Sequence, residues 1–191
     1  VEKNMEMMEK AGMNTIRIAE STWSTIEPKD GIFDFTHLDK MLEAAARHHI
    51  SVIVGTPTYA IPAWLAKKYP DILRTEFSGM KRKFGGRHNS CPNSPTFRKY
   101  SVALARALAL HYKDQKNIVA WHVSNEYGEA CYCENCEKAF RVWLRKRYGT
   151  LENLNYAWNT RFWGHTFYEW DEIVAPNLLS EHFEENRSMF Q

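Results

Sequence analysis

Trp121-His122-Val123-Ser124-Asn125-Glu126-Tyr127-Gly128 is the stretch on which the reading of this 191-residue chain turns. The residues before it, Ile118-Val119-Ala120, begin an apolar run that continues through Trp121 and predicts a buried strand. The run gives way to Asn125-Glu126, and Gly128 breaks it. An amide beside a carboxylic acid at the C-terminal end of a buried strand is where a (β/α)-barrel enzyme places its chemistry. Burial against an apolar wall raises the pKa of a carboxyl, so an acid there can hold a proton near neutral pH and donate it. Taken alone, an Asn-Glu pair is more often a loop cap or an ion-pair partner for an arginine. The rest of the chain decides between the two.

Two further strands flank helical segments upstream. Asn14-Thr15-Ile16-Arg17-Ile18-Ala19-Glu20 reads as a strand that also ends in a carboxylate, and Ser51-Val52-Ile53-Val54-Gly55-Thr56-Pro57-Thr58 reads as a second buried one. Met5, Met8 and Ala11 share a helical face that Gly12 stops. Thr36 is placed to cap a helix lined by Leu38, Met41, Leu42 and Ala45, and Pro62 to start a short one. Ser94-Pro95 opens a long helix with Phe97, Tyr100, Leu104, Ala107 and Leu108 on its inner side. Strand, helix, strand alternation argues for parallel βα units in one domain.

Downstream, a helix carries Phe140, Trp143 and Leu144 to a stop at Gly149, and Thr150 caps another with Leu151, Leu154 and Trp158. The polar stretch from Lys67 to Asn93 reads as a long functional loop, and the tail from Thr160 as aromatic and irregular.

Composition excludes some classes. With 25 basic and 23 acidic side chains, the net charge is +2, which gives no electrostatic footprint for nucleic acid or an anionic membrane. No apolar run approaches the roughly 20 residues of a membrane helix. No signal peptide is visible, so a cytoplasmic location is expected, although Val1 rather than Met begins the sequence. Seven Trp, nine Tyr and ten Phe supply core and stacking floors for sugar rings alike.

The segments Arg17-Ile18-Ala19-Glu20, Glu27-Pro28 through Phe33-Asp34-Phe35, Gly55-Thr56-Pro57, Cys91-Pro92-Asn93-Ser94-Pro95, Ala120 through Gly128 and Phe162-Trp163-Gly164 occur in order. Together they resemble the N-terminal barrel portion of family 42 glycoside hydrolases, the bacterial β-galactosidases. The resemblance implies part of a (β/α)₈ TIM barrel, a retaining mechanism and a β-galactoside substrate. It makes Glu126 the general acid/base, and Asn125, Arg87 and Trp163 substrate-binding residues. Each has a blander alternative, namely a loop cap for Asn125, a solvated charge for Arg87 and plain core for Trp163. Arg17 and Glu20 are expected to pair with each other and hold the site.

Retaining hydrolysis needs a second carboxyl about 5–5.5 Å from the first. The resemblance puts this nucleophile on a late barrel strand beyond Gln191, and none of Glu169, Glu172, Glu181, Glu184 or Glu185 is assigned to it. A TIM barrel takes about 250 residues, so residues 1–191 are expected to be a partial catalytic domain, with the first strand before Val1 and the later ones after Gln191.

Cys91, Cys131, Cys133 and Cys136 are the chain's four cysteines. Four thiolates close a tetrahedral zinc shell, and an even number also permits disulfides. The resemblance favours zinc, because many family members carry this cluster. A closed four-Cys shell has no open position for water, so the metal is expected to be structural and to tie the loop at Cys91 to the one after Glu126.

The resemblance also allows a homotrimer for the full-length enzyme. Two other readings stand beside the β-galactosidase. One is a related barrel glycosidase such as an α-L-arabinopyranosidase. The other is a non-catalytic, zinc-braced sugar-binding module.

Overall fold

Strands β1 (Thr15–Ile18), β2 (Ser51–Gly55) and β3 (Ile118–His122) lie side by side in that order, and both pairings are parallel. The structure is a computed structural model that describes residues 1–179 and 190. Parallel neighbours need long crossovers, and the helices supply them. Helices α1 (Glu2–Lys10), α2 (Trp23–Ile26), α3 (Thr36–Arg47), α4 (Ala63–Lys68), α5 (Pro95–His111), α6 (Glu134–Tyr148) and α7 (Leu151–Ala157) follow in chain order. α3 links β1 to β2, and α5 links β2 to β3. The three expected strands are present, and the C-terminal ends of all three face the same rim.

The sheet is aligned at that rim. Ile18 pairs with Val54 and Gly55 with His122. Between Val52 and Ile53 the β2–β3 register slips, because Val52 faces Ile118 whereas Ile53 faces Ala120. The extra residue in β3 is Val119.

The main core sits between sheet and helices. Val52 and Val54 of β2 are fully buried with Leu42 of α3 and with Leu104 and Leu108 of α5. Trp23 closes one end, and its indole donates to Glu27 Oε2 at 2.7 Å. Glu27 is itself buried and also accepts the Gly31 amide, so its charge is met by donors rather than by a cation. A second, smaller cluster joins Phe140 and Leu144 of α6 to Leu154 of α7 and Ile173.

Local chemistry sets the helix ends. Ser94 Oγ accepts the Phe97 amide with Pro95 in the first turn, and Thr150 Oγ1 accepts the Asn153 amide. Gly149 stops α6 at φ 75°. Thr36 is not the cap of α3. It is the first helical residue, and its amide is held by Asp34 Oδ1 at 2.9 Å.

At the far end, α1 and α3 are pinned by charge. Glu2 bonds Arg47 at 2.6 Å and His48 at 3.0 Å, and His48 Nδ1 meets Glu9 at 2.6 Å.

β3 departs from the expected buried strand. Val119 and Trp121 are exposed. Among the described residues β3 is an outer strand of the sheet, so nothing covers its free side. The long segment before α5 is also more ordered than a plain loop. It holds a 3₁₀ turn at Pro70–Ile72 and antiparallel bridges between Leu73 and Ser90 and between Thr75 and Lys81. Among the described residues no helix is long and apolar enough to cross a membrane.

Candidate active site

The site is assembled from the segments that follow the strands. After β1, Glu20 reaches over the sheet, and its Oε1 lies 2.8 Å from Arg17 Nε and 2.9 Å from His122 Nδ1 at the end of β3. The expected Arg17–Glu20 pair is present, and His122 is an addition. The carboxylate-imidazole contact is close but not aligned as a hydrogen bond. Gly55 makes the crossing feasible, because a β-carbon there would stand 2.8 Å from Glu20 Cγ.

After β2, the Thr56 amide donates to His122 O and its hydroxyl accepts the Ser124 amide at 2.7 Å. These two bonds fix where the chain leaves β3. Ser124 and Glu126 then adopt left-handed backbone, at φ 56° and 45°. Non-glycine residues in that region carry strain that surrounding structure must hold, and they concentrate at functional sites. The same pattern recurs beside Glu20, with Ala19 at φ 75° and Ser21 at φ 58°.

Glu126 is therefore not on the strand. It lies four residues beyond His122 in a loop, and its side chain is 62% exposed. The apolar wall expected from the sequence is not supplied by the described residues, for the same reason that β3 is uncovered. What Glu126 meets is Arg87, whose Nη2 lies 2.6 Å from Oε2. Arg87 itself is 55% exposed on the tip of the loop before α5. Two of the predicted site residues, separated by 39 positions, thus meet directly.

Asn125 lines a cavity of about 480 Å³ with Thr56, Tyr59, His88 and Ser101. Trp163 is not among the residues lining it. It stands 74% exposed at φ 61°, with its ring edge-on to Phe162 at 5.1 Å. Among the described residues nothing packs it into a core. Glu172 accepts the Glu169 and Tyr168 amides in a capping arrangement, so it is engaged locally. Glu181, Glu184 and Glu185 lie outside the described residues.

The four cysteines form one cluster. Their Sγ atoms all lie within 4.8 Å of one another, and Cys91 Sγ is 3.4 Å from both Cys133 and Cys136. All four are free. Cys91 faces two equidistant partners rather than one bonded partner. A tetrahedral zinc with Zn–S of about 2.3 Å has sulfur-sulfur edges of about 3.8 Å, which this spacing matches. Hydrogen bonds from Cys131, Cys136 and Cys91 hold the Cys133 thiol far below the usual range, while bonds to Cys131, Cys133 and Cys136 push Cys91 up. Asn93 Nδ2 adds a donor 3.4 Å from Cys136 Sγ, as the outer shell of a metal-thiolate site does. The residues fit a closed four-thiolate metal site.

The profile of glycoside hydrolase family 42, described as β-galactosidase, matches residues 1–190. This chain belongs to glycoside hydrolase family 42. Among its curated relatives, β-galactosidase BgaA of Planococcus sp. (strain 'SOS Orange') is 54% identical over 190 residues, covering all of this chain and 28% of the relative. β-Galactosidase LacZ of Lactobacillus acidophilus is 45% identical over 94% of this chain and 27% of its own length. The chain thus spans between a quarter and a third of these family members.

Solved structures agree. A β-galactosidase from Bacillus circulans sp. alkalophilus shares 58% identity with a TM-score of 0.91, over 95% of this chain and 27% of that one. The haloarchaeal β-galactosidase of Halorubrum lacusprofundi shares 33% at a TM-score of 0.93, over 99% and 29%. The three parallel βα units of this family 42 chain are accordingly part of a TIM barrel, as its sequence predicts.

The sequence reading missed Thr56, His122 and Glu129, whose carboxylate lies 3.0 Å from Arg74 Nη1. Thr56 and His122 sit at strand ends, and that position was the available signal. Glu129 had none, as a surface-type residue in an irregular segment.

Proposed function

We propose that this chain is the acid/base-bearing part of a retaining β-galactosidase, in which Glu126 protonates the leaving glycosidic oxygen. The observation that carries the reading is the Arg87–Glu126 contact at 2.6 Å beside Asn125, on the rim where the strands of a barrel end. On this reading an incoming galactosyl unit takes Arg87 away from Glu126, exchanging one ion pair for several bonds to sugar hydroxyls. The planar guanidinium offers five donors for this, and the Asn125 amide adds donors and an acceptor. Bonds to ring hydroxyls strengthen as the oxocarbenium-like transition state forms. The exposed Trp163 ring provides a stacking face. The nucleophilic carboxylate belongs to the rest of the barrel, beyond residues 1–191.

Zinc is the proposed metal for Cys91, Cys131, Cys133 and Cys136. With four thiolates it has no open coordination site, so it takes no part in the reaction and braces the loops that carry Arg87 and Glu126.

The full-length protein tests this directly. Arg87→Ala should raise KM for a nitrophenyl β-galactoside and lower kcat/KM by about 10–100-fold, the size of a lost charge-assisted contact. Unchanged kinetics, or preference for an α-L-arabinopyranoside in a glycoside panel, would replace the β-galactosidase reading.

A further inference from the structure

The loop that carries Arg87 and the loop that carries Glu126 are joined by a second set of contacts, centred on Glu129. Arg74 lies at the start of the first loop, and its side chain is only 4% exposed. Its Nη1 donates to Glu129 Oε2 at 3.0 Å and to Ala130 O at 3.5 Å, and its Nη2 to Ser90 O at 3.5 Å. Arg82, in the middle of the same loop, brings Nη1 to 2.9 Å from the same Glu129 oxygen. One carboxylate therefore holds two guanidinium groups that are 8 residues apart in the chain.

Arg82 passes this hold on to the loop tip. Its Nε is bonded to Glu76, and its Nη1 donates to His88 O at 3.3 Å and Asn89 Oδ1 at 3.4 Å. His88 is the residue next to Arg87. Asn89 then closes the tip from inside, because its Nδ2 donates to Lys83 O at 3.0 Å and to Gly85 O. The glycines at the turn, Gly85 and Gly86, have φ 120° and 67°, so the backbone alone does not stiffen it. Glu129 also sits three residues after Glu126, and its own φ is 61°. The Tyr132 amide bonds Thr75 O at 2.9 Å and adds a rung below.

A buried guanidinium without its carboxylate is costly, so Arg74 fixes Glu129 in place. Glu129 then fixes Arg82, and Arg82 fixes the backbone beside Arg87. We infer that Arg74, Glu129 and Arg82 form a clasp whose task is to hold Arg87 in register with Glu126, with Glu129 and Arg82 as positioning residues. This rests on the proposed role of Arg87 in binding the galactosyl unit. The alternative is that the clasp merely stabilises the loop.

Two measurements on the full-length protein separate these. The first is a double-mutant cycle on kcat/KM for a nitrophenyl β-galactoside, combining Glu129→Gln with Arg87→Ala. A positioning role predicts a loss of about tenfold for Glu129→Gln alone, a coupling typical of one network, and almost none once Arg87 is gone. Full additivity would overturn it. The second is amide hydrogen exchange. Glu129→Gln should speed exchange across residues 82–90 and leave β1 and β2 unchanged. Unchanged exchange in 82–90 would overturn the clasp whatever the kinetics. Arg82→Gln keeps Arg74 paired and should give the same two signatures, which covers a Glu129 variant that folds poorly. If the wild-type protein cleaves no galactoside, the proposed function falls, and exchange in 82–90 still decides the clasp.

Discussion

Gly55 and Glu20 touch so closely that a side chain at one excludes the present position of the other, with 2.8 Å between a β-carbon built on Gly55 and Glu20 Cγ. Glu20 uses this space to reach both Arg17 and His122. The ends of β1 and β3 are thereby tied together across β2. Gly55→Ala should force Glu20 away and cost about 1–3 kcal/mol, as overpacking of a tight site does. Thermal unfolding of the full-length protein measures this. In a Glu20→Ala background the clash is gone, so Gly55→Ala should then cost much less. Equal costs in both backgrounds would show that Glu20 is not the obstacle.

Glu126→Gln tests the acid directly. The amide has no transferable proton, so hydrolysis of galactosides with poor leaving groups should slow by about 10²–10⁴-fold. Activated aryl galactosides need little protonation and should lose much less in the glycosylation step. Small and equal losses on both substrate types would remove Glu126 from the acid/base role.

What could be read in advance follows a physical division. β1, β2 and β3, the Ser94 and Thr150 caps and the Gly149 stop depend on residues within a few positions of one another, so the sequence displays them. The Arg17–Glu20 pair is equally local. Glu126 was legible as the acid after a strand, but its setting was not. Nothing in Ser124 or Glu126 signals a left-handed backbone, since no glycine marks the positions. Arg74 and Glu129 are 55 residues apart, in segments without periodicity, and only folding reveals that Arg74 is buried. Burial of Trp121 was overread, because an apolar run does not say whether its strand has a neighbour on each side.

The α1–α3 charge cluster should make stability depend on pH in a defined direction. Glu9 and Glu2 hold the His48 imidazole above its ordinary value, whereas Arg47 and His48 lower the Glu2 carboxyl to about 2. The raised histidine contributes fully below its unfolded value of about 6.5, and this is lost as pH rises through the folded value. The lowered carboxyl contributes above its unfolded value of about 4.3, and this is lost as pH falls towards 2. The cluster is therefore strongest between those two unfolded values. Unfolding of His48→Gln against wild type across pH should show the largest gap in that window and a shrinking one as pH rises through the raised histidine value. A gap that grows with rising pH would refute the assignment.

The cysteine cluster should bind one zinc per chain without a catalytic duty. Its four Sγ atoms lie within 4.8 Å of one another, and all four thiols are free to serve as ligands. Metal displaces the thiol protons on binding, so affinity should fall as pH drops. Cys133→Ser leaves three thiolates and should lower thermal stability first, with activity following as the loops bearing Arg87 and Glu126 loosen. Mass spectrometry of protein purified without added metal counts the zinc. A chelator should remove zinc and stability together, and substrate turnover should fall only as the loops bearing Arg87 and Glu126 loosen. Sub-stoichiometric zinc together with a Cys131–Cys136 or Cys91–Cys133 disulfide in the peptide map would replace the metal with cross-links. Loss of turnover ahead of any loss of folding would instead give the metal a part in the chemistry that four thiolates leave no room for.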